Sequence, residues 1–232
     1  EIFNKNDKFE LIDVMKFICA IFIVGIHSGI VSNENSSIQW YIENIIFRIA
    51  VPFFFIASGF LFGKKYLKDK NRLKENSIKQ VKRLLIPFIF WSLILLPYVI
   101  ITEIKFDGNI VLFALKILRL NLFNGYHIWF VLALIVAICI DYIFLKKNKM
   151  KLAIFFSIIL YSIALLGNSY YFLIEGTQIQ YIIDIIIKIF TMVRNGIFVG
   201  FPLFTVGICV AFYENKIYRI SNTKLYILLI FF

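Results

Sequence analysis

The stretch LIDVMKFICAIFIVGIHSGIVS, residues Leu11–Ser32, is an almost uninterrupted apolar run. An α-helix needs about 20 apolar residues to cross the hydrocarbon core of a bilayer, so this run predicts a spanning helix. Only Asp13, Lys16 and His27 do not belong in lipid. Ionisable groups inside a spanning helix are costly and usually serve a function. These three residues are therefore the first candidates for a site.

Comparable apolar runs recur along the 232-residue chain, of which 61% is hydrophobic and 17% is charged. A soluble domain of this size cannot bury so much apolar surface, and several such runs in series indicate a polytopic membrane protein. The predicted fold class is an all-α transmembrane helix bundle with about seven or eight membrane helices in this chain. The charge-free runs are Phe17–Asn33, Ile49–Gly63, Leu84–Thr102, Leu120–Ile140, Leu152–Ile174 and Asn195–Tyr213.

The distribution of basic residues predicts the orientation of the bundle. Residues 63–83 hold nine Lys or Arg against two acidic residues, and the positive-inside rule places such a loop in the cytoplasm. The N-terminus and the loop 63–83 are therefore predicted to be cytoplasmic at the cell membrane, and helix 1 runs outward. The chain has a net charge of +11, and its basic residues lie between the apolar runs. This distribution argues against nucleic-acid binding.

Predicted helices 2 and 3 each contain proline. Helix 2 is expected from Trp40 to Phe62, with a kink at Pro52 because proline removes a backbone donor. Helix 3 is expected at Leu84–Thr102, with Pro87 tolerated in its first turn. The other predicted elements are an outer loop at Ser32–Gln39, an interfacial helix at Ile110–Leu122, spanning helices at His127–Leu145, Leu152–Leu166 and Asn195–Tyr213, and a last helix from Leu225.

The segment Ile179–Val193 leaves two alternatives open. It is apolar but carries Asp184 and Lys188, which are neighbours on one helix face. It either spans the membrane or lies half-inserted at the surface. Basic residues within 214–224 favour the surface alternative, because a spanning helix would place them outside. Without repeats or a low-complexity linker, residues 1–232 are interpreted as one membrane domain that is truncated at its C-terminus.

The three cysteines, Cys19, Cys139 and Cys209, lie inside apolar runs without paired spacing. We expect them to be small buried hydrophobes. No disulfide framework and no metal site is predicted from them.

Helical geometry places the polar residues of helix 1 on one stripe. At about 100° per residue, Lys16 and His27 differ by about 20°, and Asp13 and His27 by about 40°. Lys16 and His27 are about 16 Å apart along the axis, so they are not a base and its orienting partner. Their positions suit a channel in which Lys16 is a cation near one mouth and His27 is a titratable base deeper inside. Alternatively, Lys16 reaches the headgroups and pairs with Asp13, while His27 bonds a neighbouring helix.

Two further pairs of residues have both a structural and a functional interpretation. Lys82 and Arg83 precede helix 3, where they either anchor it at the membrane surface or bind an anionic cytosolic ligand through its phosphates. Ser58 and Gly59 follow the predicted kink. These small residues either let helices approach closely or line a cavity.

On the predicted outer side, His127 and Trp129 form part of the segment NGYHIWF, residues 124–130. The histidine is either an interfacial group beside an aromatic belt or part of a site. Arg194 stands before Asn195 and Gly196, which mark a helix start. Its side chain is a candidate for facing a cavity.

Four motifs occur in order along the chain. A basic residue and a histidine, Lys16 and His27, are separated by ten residues in helix 1, and VPFFFIASGFL (51–61), KRLLIPFIFW (82–91) and YHIWFV (126–131) follow. Together they resemble the membrane acyltransferase-3 family. The resemblance implies an integral-membrane O-acyltransferase that moves an acyl group, commonly acetyl, from acyl-CoA in the cytoplasm to a hydroxyl of a cell-surface glycan.

The resemblance also implies roles for individual residues. His27 corresponds to the histidine of the first motif and acts as general base or carries the acyl group. Lys16 stands where the family usually has arginine, with Asp13 beside it. Lys16, Lys82 and Arg83 are expected to bind acetyl-CoA as the donor. The expected substrate or cavity residues are Ser58, Gly59, His127, Trp129 and Arg194.

A second interpretation comes from the stretch between Arg194 and Gly207. It is similar to a branch of the same family that is fused to amino-acid racemases in glycopeptide-resistance systems, where the membrane part is associated with serine uptake. The alternative function is therefore a membrane transporter or binding domain without acyl transfer.

Overall fold

The computed structural model describes residues 9–28, 41–103, 110, 129–190 and 192–217, and within them only helices, turns and bends occur. The prediction of an all-α fold is confirmed. The helices are α1 (Glu10–Ser28), α2 (Ala50–Lys68), α3 (Leu73–Glu103), α4 (Trp129–Lys146), α5 (Met150–Leu166), α6 (Gln178–Phe190) and α7 (Phe201–Ile217).

Four helical segments in the described part of the chain are long and apolar enough to cross a membrane. Each has at least 18 residues, which rise about 27 Å or more and so approach the thickness of the hydrocarbon core. They agree with the predicted helical membrane bundle. The segments are Ile42–Lys68, Lys70–Tyr98, Trp129–Lys146 and Gly196–Glu214.

The chain divides into two compact units, residues 1–58 and 59–232. In the first unit, α1 packs against the irregular helical segment that precedes α2. The rings of Phe22 and Phe47 stack there with centroids 5.3 Å apart. Gly25 lets the Phe47 ring approach, since a Cβ at this position would lie 2.5 Å from ring atom Cε2. This packing holds one side of α1 and leaves the polar stripe beside it.

A change of helix type precedes Pro52, where the sequence predicts a kink. A π-helix at Ile42–Ile46 and a 3₁₀ turn at Phe47–Ile49 precede α2, and Pro52 is the third residue of α2. Proline lacks the N–H that would bond the carbonyl of Arg48. The irregular hydrogen bonding is therefore concentrated just upstream of Pro52.

The core of the second unit forms where α4, α5 and α7 pack together. Aromatic rings fill much of it, with Phe144 stacked on Phe201 at 5.9 Å and Phe62 tilted against Phe204 at 5.5 Å. Gly59 abuts the backbone of α7, because a Cβ there would overlap the carbonyl oxygen of Phe204. Small residues allow membrane helices this approach.

The prediction that residues 63–83 form a loop is wrong. Helix α2 continues to Lys68, a 3₁₀ turn follows at Lys70–Arg72, and α3 begins at Leu73. Only Asp69 interrupts the helices, and its carboxylate accepts a hydrogen bond from the Asn71 N–H at 3.0 Å. Lys and Arg are good helix formers, so the charge marks where a helix leaves the lipid, not where it ends.

Helix α3 has 31 residues and contains both Pro87 and Pro97 in its interior. The prediction that Pro87 lies in a first turn is wrong, because α3 begins eleven residues before the predicted Leu84. The contour length of α3 is about 46 Å. It therefore exceeds the hydrocarbon core of about 30 Å.

Helix α6 has 13 residues, which rise about 20 Å and fall short of the bilayer core. This length agrees with the half-inserted or surface alternative for the segment 179–193. Asp184 Oδ1 accepts a hydrogen bond from the Tyr171 hydroxyl at 2.8 Å. This hydrogen bond is the main reason why the pKa of Tyr171 is raised. Gln180 in turn donates to Tyr171 at 2.9 Å. The polar face of α6 is thus tied to the preceding connection.

The cysteines differ in burial. All three are free thiols. Cys19 is buried as predicted and Cys209 is half-buried, but Cys139 is exposed. Burial of Cys139 is therefore a wrong prediction. A small apolar thiol on a membrane helix can face lipid without cost, so an apolar run does not distinguish the core side from the lipid side.

Several predictions lie outside the described residues. They are the outer loop Ser32–Gln39, the residue His127, the helix from Leu225 and the interfacial helix Ile110–Leu122, of which only Ile110 is described. The orientation of the bundle and the single-domain organisation stay predictions.

Candidate functional site

The polar stripe of α1 contains one ion pair and one exposed imidazole. Lys16 Nζ donates to Asp13 Oδ1 at 3.1 Å, with the two side chains 32% and 71% exposed. The pairing that the sequence left as an alternative is therefore present. An exposed pair of this kind contributes about 0–1 kcal/mol, so it orients Lys16 more than it stabilises the fold. His27 is exposed near the other end of α1.

The stripe lies beside the packed side of α1. Cys19 is buried on that side, and Phe22 contacts Phe47 there. At about 100° per residue, the three polar positions are about 60–120° around the helix from Cys19. Packing therefore fixes the rotation of α1 while His27 stays accessible to a reactant.

A second cluster lies where α2 and α3 meet. Lys65 is exposed, and the positive charges of Arg83 and Lys79 act on it. Lys82 and Arg83 are exposed. Among the described residues, no carboxylate pairs with any of these four side chains. We call Lys65, Lys79, Lys82 and Arg83 the basic cluster, and an anion that joins it relieves the repulsion.

Two neighbouring basic residues outside the cluster have acidic partners. Lys64 pairs with Glu214 at 2.6 Å, and Arg72 lies 4.0 Å from Asp69 and 3.6 Å from Glu75. The basic cluster, which includes the predicted donor residues Lys82 and Arg83, differs from Lys64 and Arg72 because it has no carboxylate partner among the described residues.

Two predicted cavity residues meet in the structure. The guanidinium of Arg194 lies over the indole of Trp129, with its Cζ atom 5.5 Å from the ring centroid. The two residues are 65 positions apart, and the sequence selected each of them separately. A cavity of about 50 Å³ is lined in part by Trp129. Its lining consists of Trp129, Leu132, Ala133, Val136, Asn195, Gly196 and Ile197.

Asn195 begins a π-helical turn, Gly196–Gly200, that leads into α7, as the sequence predicted. Its side-chain oxygen accepts hydrogen bonds from the N–H groups of Ile197 and Phe198 at 2.9 and 3.1 Å. Its amide donates to the carbonyl of Met192 at 2.9 Å. These bonds satisfy helix donors and hold the backbone beside Arg194 in place.

The remaining predicted residues separate into different roles. Gly59 packs against Phe204, which supports the helix-packing interpretation, and Ser58 is half-buried. His127 lies outside the described residues.

The sequence analysis missed a polar pair inside the helical core. Asp141 on α4 is fully buried, and both of its carboxyl oxygens lie 3.1 Å from the Thr205 hydroxyl oxygen on α7. No cation pairs with Asp141 among the described residues. The available signal was an acidic residue inside a predicted spanning helix, five positions before Lys146.

We expect Thr205→Val to destabilise the protein by about 1–3 kcal/mol, because it leaves a buried carboxyl without its hydrogen bond. Replacing both partners, in Asp141→Leu/Thr205→Val, should cost less than Thr205→Val alone, since apolar pairs of similar shape can substitute for polar ones. Thermal unfolding of the detergent-purified variants measures the difference. A double variant less stable than Thr205→Val would contradict this account.

The fold and site define a helical membrane protein with an exposed histidine on one apolar helix and a separate uncompensated basic cluster. The profile of a family described as an acyltransferase domain matches residues 9–232. The chain belongs to this family, the membrane acyltransferase-3 family.

Curated relatives agree over nearly the whole chain. An amino-acid racemase of Enterococcus faecalis is 30% identical over 231 residues, which is 94% of this chain and 30% of the relative. A serine/alanine racemase of Enterococcus gallinarum is 29% identical over 226 residues, 94% of this chain and 31% of the relative. The chain thus spans about a third of the length of these relatives. No solved structure gives a significant match.

Proposed function

We propose that this membrane domain transfers an acyl group, with acetyl as the first candidate, from cytosolic acyl-CoA to a hydroxyl of an extracytoplasmic glycan. The observation that carries the proposal is His27. It is exposed on α1, and ten residues separate it from Lys16 in a chain that belongs to an acyltransferase family.

The chemistry requires a neutral imidazole. As general base, His27 takes the proton of the acceptor hydroxyl while the hydroxyl oxygen attacks the thioester carbonyl, and CoA leaves as the thiol once it is protonated. Alternatively, the imidazole nitrogen attacks first, CoA leaves, and the acyl-imidazole then passes the acyl group to the hydroxyl. Both routes use the same exposed side chain.

The basic cluster supports a phosphate-rich donor. Lys65, Lys79, Lys82 and Arg83 carry like charges without acidic partners among the described residues. Phosphates of acyl-CoA would neutralise them through charge-assisted hydrogen bonds. We therefore assign donor binding to Lys82 and Arg83.

The proposed function is tested with the purified protein in liposomes that contain cell-surface polysaccharide, supplied with acetyl-CoA labelled in its acetyl group. Label should appear on the polysaccharide as an ester that mild base releases. Equal label in liposomes without the protein contradicts acetyl transfer to that acceptor.

We expect Lys82→Gln/Arg83→Gln to raise the KM for acyl-CoA about tenfold and to leave kcat nearly unchanged, because two charge-assisted contacts to the donor are lost. Initial rates at varied acyl-CoA concentration measure both constants. Arg72→Gln is the matched control, since its charge is already compensated by Asp69 and Glu75. A KM for the double variant equal to that of the control would remove the basic cluster from donor binding.

A second candidate function is serine uptake without acyl transfer, for which the support is that one relative is named a serine/alanine racemase. Uptake of labelled serine into sealed proteoliposomes, beside the acetyl-transfer assay on the same preparation, separates the two. Uptake without transfer selects the transporter, and transfer without uptake selects the acyltransferase.

A further inference from the structure

Arg194 is a cation that has no carboxylate partner in the part of the chain that the structure describes. Its guanidinium contacts the indole of Trp129 through the ring face, and the residue is exposed. Stacking occupies the face of a guanidinium but leaves the N–H groups at its edge available to an anion.

The indole of Trp129 also forms one wall of the cavity of about 50 Å³. Five of the other lining residues have no polar group in their side chains. They are Leu132, Ala133, Val136, Gly196 and Ile197. A volume of this size admits only a few groups as large as a water molecule. The cavity therefore suits a short apolar group, and Trp129 belongs both to its wall and to the contact with the Arg194 guanidinium.

The helix start beside Arg194 does not supply the anion contact. The side-chain oxygen of Asn195 already accepts the N–H groups of Ile197 and Phe198. Arg194 is thus the group that would neutralise an anion here, and capping by Asn195 keeps the cavity wall fixed around it.

We propose that Arg194, Trp129 and the adjoining cavity bind a small carboxylate, with the carboxylate on the guanidinium and its short apolar end in the cavity. A lipid phosphate offers the same negative charge, but its acyl chains do not fit a cavity of this volume. The proposal concerns binding alone and does not depend on acyl transfer.

The test uses a variant in which Trp40→Phe and Trp91→Phe leave Trp129 as the sole tryptophan, in nanodiscs of zwitterionic lipid. Emission of Trp129 is followed during titration with sodium acetate, propionate, butyrate and hexanoate, with sodium chloride as the ionic-strength control. We expect a saturable change with acetate and propionate, and at least tenfold weaker binding of hexanoate.

Two variants separate the parts of the site. Arg194→Gln should weaken propionate binding roughly tenfold to hundredfold, as expected for loss of a charge-assisted contact, and Arg194→Lys should weaken it less. Ala133→Leu fills the cavity and should weaken propionate more than formate. Arg48→Gln, at another exposed arginine, should change neither titration.

Three outcomes overturn the proposal. Equal titrations of the parent and Arg194→Gln exclude the guanidinium. Equal affinity for acetate and hexanoate excludes the cavity. A response that chloride reproduces, or that disappears when anionic lipid is added at constant carboxylate concentration, assigns Arg194 to salt or to lipid phosphate instead.

Discussion

Replacing His27 by alanine is expected to lower acyl transfer by about 10²–10⁴-fold, the usual contribution of a positioned general base. If the histidine carries the acyl group itself, the loss lies at or beyond the upper end of this range. The side chain is exposed on α1, so its removal creates no cavity in the core. Transfer of label from acetyl-CoA, normalised to protein that elutes as a folded species, measures the effect.

Val24→Ala is the matched control for His27→Ala. It also shortens an exposed side chain on α1, three residues away, and should retain parental transfer. A folded His27→Ala protein with parental transfer would falsify the proposed role of the imidazole. Retention of serine uptake by a His27→Ala protein that has lost transfer would show that the two activities use different groups.

Gly59→Ala is expected to destabilise the second compact unit. The new methyl group would overlap the Phe204 carbonyl oxygen, so α2 and α7 must separate or bend. Overpacking of this kind costs about 1–3 kcal/mol, which exceeds the gain in helix propensity of about 1 kcal/mol for the same substitution. The melting temperature of the purified protein should fall by several degrees.

Gly25→Ala provides the comparison for Gly59→Ala, with the same gain in propensity. The added methyl group meets the outer edge of the Phe47 ring, a side chain that can rotate away, and not a backbone carbonyl. We therefore expect a smaller shift. A larger loss of stability in Gly25→Ala than in Gly59→Ala would mean that the helix contact at Gly59 is not close-packed as described.

The helices were predictable wherever an apolar run coincides with a spanning length. α4 and α7 follow directly from such runs, because burial in lipid is the dominant requirement on their composition. The same criterion failed at residues 63–83. Lys and Arg interrupt the apolar pattern without disturbing the backbone hydrogen bonds, so two helices continue through a segment that hydropathy predicts as a loop.

The candidate site was predictable one residue at a time but not as a set of contacts. Arg194 and Trp129 were each selected from local features, a helix start and an aromatic segment. Their cation–π contact depends on how α4 packs beside the start of α7, which no local pattern encodes. Asp141 had a local signal, an acidic residue inside a predicted spanning helix, but its hydrogen bond with Thr205 forms only across that interface.

The length of α3 has a kinetic consequence for any polyanionic ligand. A helix of about 46 Å that crosses a core of about 30 Å extends roughly 16 Å beyond it. The basic cluster lies at the end of α3 that adjoins α2, where α3 contributes three cationic side chains to it. Fields from such a projection act over about a Debye length and accelerate encounter with oppositely charged molecules. Capture of a phosphate-bearing donor should thus begin in solution above the headgroups and slow as ionic strength rises.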